Sequence, residues 1–100
     1  MNTILDFYES TLLNNGATFN PITNELNPDS GYFVSLPHFE QRIERENLCL
    51  QHIKDFVNCN LGAFNEGLFI GSWINNDVVY LDISERITDK RKAIETAYKH

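Results

Sequence analysis

Three groups of side chains in this sequence have types and spacings that invite a chemical reading. Cys49, His52 and Cys59 are metal-ligand types, with Cys49 and His52 three apart on a helix-patterned stretch. A structural zinc site needs four ligands, commonly as close pairs, and there is neither a Cys-x-x-Cys pair nor a fourth partner here. Cys49 also shares a spacing with Ile53, Phe56 and Val57, which reads as an apolar face where a cysteine acts as a small hydrophobe. Ser35, His38 and Glu40 carry a nucleophile, a base and an acid within six positions. They lack the glycines of a nucleophile elbow and any oxyanion-binding loop. Asp82, with Glu85 close behind, has no second buried carboxylate to shift it into acid–base work, so a solvated strand face is the expectation. The glycines at 62, 67 and 71 do not have the spacing of a phosphate cradle. No catalytic residue, metal site or cofactor is expected.

Binding chemistry is better represented. Phe69, Trp73, Tyr80 and Phe33 could stack on nucleobases, but the strands that carry them hold almost no lysine or arginine. Direct nucleic-acid binding is therefore disfavoured. The same aromatics suit anchors in a protein interface. The net charge is −6 on 100 residues, and its distribution is uneven. Residues 1–41 hold five acids and no lysine or arginine, whereas Arg86, Lys90, Arg91, Lys92 and Lys99 make the last stretch basic. The alternative reading is thus a nucleic-acid-binding accessory protein using Lys90, Arg91 and Lys92. On composition alone the acidity reads first as ordinary solubility charge, since −6 on 100 residues is within the usual range; the sharper reading is an acidic surface steered to a basic partner.

The elements that must position these residues are organised around Leu68–Ser84. Two runs rich in Ile, Val, Phe, Trp and Tyr flank Asn-Asn-Asp, the pattern of a β-hairpin. With Asn76-Asp77 as a type I′ turn, Ile74 faces Val79, Ser72 faces Leu81 and Ile70 faces Ile83 on a core side. Trp73 against Tyr80, Gly71 against Asp82 and Phe69 against Ser84 share the other side. Upstream, Thr3 caps a helix with Asp6 as its capping-box partner, Ile4, Leu5, Tyr8 and Leu12 form its apolar stripe, and Gly16 takes the left-handed cap. Ala17–Asn20 and Tyr32–Leu36 read as strands that pair with each other across a Pro/Asn/Gly-rich loop. His38–Glu46 reads as a charged edge strand or an irregular arm. Asn47 caps a helix from Leu48 to about Asn60, closed by Leu61-Gly62, and Thr88 caps a last helix with Ile94, Ala97 and Tyr98 inward.

The expected fold is a single α+β domain over residues 1–100. It has a small, largely antiparallel sheet of two hairpins, about four strands, with three helices packed on one face. A chain of this length buries a little over 60% of its unfolded surface, roughly, enough for one modest core. No apolar run reaches the ~20 residues of a membrane span, and no basic-then-apolar leader opens the chain.

Gly16, Thr18, Asn20 and Pro21, then Gly31, Tyr32, Val34 and Ser35, then Gly71 and Trp73, then Val79, Tyr80, Leu81 and Asp82 form a pattern spread over the chain. In this pattern the chain resembles a family of small accessory proteins carried by phages and integrative conjugative elements. The resemblance covers most of the chain. It implies a protein without catalysis that acts in the cytoplasm of a bacterial host, and by analogy an anti-defence inhibitor of the anti-CRISPR type. The partner would be a host defence protein such as a Cas effector, Cas9 for example, whose nucleic-acid-binding surface is blocked. The residues expected to make that contact are Asp77, Asp82 and Glu85 near the hairpin, Glu40, Glu44 and Glu46 on the arm, and Trp73 or Tyr80 as anchors.

Overall fold

A computed structural model describes residues 2–99, and His100 lies outside the described residues. The chain runs α1 (Ile4–Asn14), β1 (Gly16–Phe19), β2 (Tyr32–Ser35), β3 (Gln41–Glu44), a 3-10 turn (Arg45–Asn47), α2 (Leu50–Cys59), α3 (Leu61–Asn65), β4 (Phe69–Asn75), β5 (Val78–Ile87) and α4 (Lys90–Lys99). The class is α+β and every strand pairing is antiparallel.

The β4–β5 hairpin lies at the centre, in the expected register from Asn75 opposite Val78 to Phe69 opposite Ser84. Asn76 and Asp77 both take positive φ, 52° and 61°, as a type I′ turn requires. Glycine is favoured at the second of these places because it has no Cβ to strain. Asp77→Gly is therefore expected to raise stability by a few tenths to about 1 kcal/mol. A lowered thermal midpoint would refute this.

The outer strands do not pair as the sequence pattern suggests. β1 adds to β4 and β2 adds to β5, so the two short strands lie on opposite sides of the hairpin instead of facing each other. The loop between them folds back on β1. Asn20 Oδ1 accepts the Ile22 and Thr23 N–H groups, Asn27 Oδ1 accepts the Thr18 N–H, and Leu26 bridges Phe19. The loop's polar residues thereby satisfy its backbone locally. The charged segment is an edge strand after all: β3 pairs with the first half of β5, Ile43 opposite Val79, while β2 takes the second half. The sheet thus has five strands built on one tight hairpin.

Helices α1, α2 and α3 cover the face carrying Ile70, Val79, Leu81 and Ile83. The Thr3–Asp6 capping box forms as expected. The buried stripe of α1, however, is Phe7, Ser10 and Thr11; Ile4, Tyr8 and Leu12 pack at the margin and Leu5 is exposed. Asn15, not Gly16, takes the left-handed cap, with φ 60°, and Gly16 opens β1. In α2, Ile53, Phe56 and Val57 are buried as expected, but the helix starts later. Cys49 stands at its N-cap, exposed, with its backbone N–H donating to His52 Nδ1 at 3.2 Å. Leu61-Gly62 does not end the helical region but opens α3, which drives Phe64 into the core.

The last helix, α4, packs against β2 and the adjoining part of β5. Asp89, one residue beyond Thr88, caps it by accepting the Arg91 and Lys92 N–H groups. Its buried residue is Ala93; Ile94, Ala97 and Tyr98 are exposed, Tyr98 at 88%.

Candidate interaction site

The turn end of the hairpin meets the turn that follows β3. The Arg45 N–H donates to the Asp77 carbonyl at 2.8 Å, which ties the two together. Between them and α1 lies a groove of about 820 Å³. Its apolar lining is Tyr8, Leu12, Leu48 and Val78, and its charged lining is Glu44, Glu46 and Asp77 with Arg45. Segments some thirty residues apart in sequence therefore bring three of the expected carboxylates to one place, all exposed. Three anions against one cation give the rim a local negative field, while the apolar residues offer area to bury. The apolar half was missed in the sequence because Tyr8 and Leu12 read as core; their incomplete burial is what leaves them available.

On the sheet face away from the main core, Trp73 stacks on Tyr80 with centroids 4.3 Å apart and planes 15° from parallel. Arg42, from the neighbouring β3, sets its guanidinium 5.5 Å from the Tyr80 ring centroid and pairs with Glu40 at 3.3 Å. Trp73 and Tyr80 are directly opposite on adjacent strands, so their contact follows from the register. Trp73 remains 43% exposed and Tyr80 is half-buried. Arg42 was not expected here; only the pairing of β3 with β5 reveals it.

Asp82 is not on a solvated face. It is 8% exposed, and its carboxylate accepts from the Ser35 hydroxyl at 2.8 Å and the Ser84 hydroxyl at 3.1 Å. The cause is Gly71, its cross-strand partner: a Cβ on Gly71 would come within 2.3 Å of Asp82 Oδ1, so the missing side chain makes the space the carboxylate fills. Asp82 therefore does not join the acidic rim. Glu85 is half-buried opposite Val34, on the other side of the sheet from Asp82, and stands apart from both.

Lys90, Arg91 and Lys92 are exposed in the first turn of α4. Consecutive helical residues point in different directions, and positive charge at a helix N-terminus opposes the dipole, so the three do not make one basic face. Ser35 gives its hydroxyl hydrogen to Asp82 and not to His38, although His38 and Glu40 line the same depression. No Ser–His relay forms among the described residues. Nor, among the described residues, do three His, Cys, Asp or Glu side chains converge as a metal site. No described helix is long and apolar enough to cross a membrane. Scanned against protein-family models, and searched against curated proteins and solved structures, the chain matches none.

Proposed function

We propose that this chain is a non-catalytic binding protein that delivers acidic side chains to a basic surface of a protein partner. In the mobile-element setting that its residue pattern resembles, this makes it an anti-defence inhibitor in a bacterial host, of the anti-CRISPR type. It would occupy the nucleic-acid-binding surface of a host nuclease such as Cas9. The observation that carries this reading is the groove at the hairpin turn. There Glu44, Glu46 and Asp77 surround the apolar Tyr8, Leu12, Leu48 and Val78. Apolar contact supplies burial, and the carboxylates supply complementarity to a lysine- and arginine-rich channel.

The test is binding to a Cas effector at about 0.1 M and about 0.5 M salt, because exposed attractions are screened over that range. Affinity is expected to fall as salt rises, and target DNA is expected to compete. Asp77→Gly, which keeps the fold, combined with Glu44→Gln and Glu46→Gln, should weaken the complex. Equal affinity at both salts, or full affinity in the triple variant, would overturn the mechanism.

A further inference from the structure

Asp82 is a buried carboxylate that meets only hydroxyl groups. Among the described residues no lysine, arginine or histidine pairs with it: Arg42 is engaged by Glu40, and Arg86 by Glu25 at 3.0 Å. An anion taken out of water with no cation beside it is costly. It also lines an open groove of about 560 Å³ and is not in the sealed core. The groove is also lined by the aromatic Phe33 and Trp73, by the small Ala97 of α4, and by the polar His38 and Glu40. Each Asp82 oxygen accepts one hydroxyl, Ser35 on Oδ2 and Ser84 on Oδ1, which leaves each with capacity for a further donor.

We propose that this groove is a receptor for an arginine side chain of a protein partner. A guanidinium is planar, offers two parallel N–H donors that match the two oxygens of a carboxylate, and stacks on aromatic rings. An ammonium would satisfy the charge but neither the fork nor the stacking. Phe33 is braced edge-on against Phe69 at 5.2 Å and Trp73 is held by Tyr80, so the walls are set before a ligand arrives. The identity of the occupant as a partner's residue rests on the protein-binding reading above; capture of an arginine side chain by the groove does not.

Trp73 is the single tryptophan of the chain, so its emission reports on the groove directly. The probes are short capped peptides carrying one arginine, one lysine or one citrulline, the last being an uncharged counterpart of arginine. The arginine peptide is expected to change Trp73 emission in a saturable way and to bind about tenfold tighter than the citrulline peptide, as a charge-assisted pair implies. Asp82→Asn should remove that preference. Should Asp82→Asn fail to fold, Ala97→Arg, an exposed substitution that sets a competing guanidinium beside the groove, should block the peptide with Asp82 intact. Glu44→Gln with Glu46→Gln should leave arginine capture unchanged, which separates this groove from the one at the hairpin turn. No saturable change, equal binding of the arginine and citrulline peptides, or unaltered binding in a folded Asp82→Asn would each overturn the proposal. Tighter binding of lysine than of arginine would do the same.

Discussion

Phe7→Ala is expected to cost about 3–5 kcal/mol, the range for truncating a fully buried phenylalanine. Phe7 is wholly inaccessible and its ring stacks on Phe19 of β1 at 5.9 Å. That contact joins the first helix to an outer strand of only four residues, so the cavity would open between α1 and the sheet. Whole domains are stable by only about 5–15 kcal/mol, so the variant should lie close to its unfolding transition at room temperature. Denaturant titration checks this through the shift in midpoint at constant slope. A loss below about 1 kcal/mol, the size of an ordinary surface change, would mean that Phe7 is not a core residue.

Gly71→Ala is expected to destabilise by about 1–3 kcal/mol, as overpacking does. In a strand interior alanine would normally be the more stable residue, so the sign of the effect depends on one neighbour. The new methyl would meet Asp82 Oδ1 at 2.3 Å. The carboxylate would have to turn away and give up the Ser84 or Ser35 hydroxyl. A double-mutant cycle makes the argument specific. With Asp82→Ala in place, the same Gly71→Ala change should cost little, because the oxygen it collides with is gone. Additive effects in the cycle would show that the two residues do not interact and that Gly71 is required for some other reason.

Much of the fold is legible in the residues because the hairpin is locally encoded. Alternation from Phe69 to Ser84 and the turn-forming Asn76-Asp77 fix the register without reference to any distant part of the chain. The partners of the outer strands are not encoded in this way. Nothing in Gly16–Phe19 states that β4, and not β2, is its neighbour, and Gln41–Glu44 offers one aliphatic residue as a strand signal. The candidate site divides along the same line. Stacking of Trp73 on Tyr80 follows from the register. The meeting of Glu44, Glu46 and Asp77 does not, since it depends on where β3 docks. The burial of Asp82 lies between the two: the register already places a glycine opposite it, and an acid beside a residue without a side chain has a space to enter.

The long strand β5 is flanked on one side by two separate segments, β3 on its first half and β2 on its second. As a result, β2 and β3 are each four residues long, and β1, at the opposite margin against β4, is four residues long as well. Such a short run of open backbone donors and acceptors gives an extended peptide little to zip onto, and it limits joining of sheets into aggregates. In the binding role proposed for this chain, recognition is thereby left to side chains.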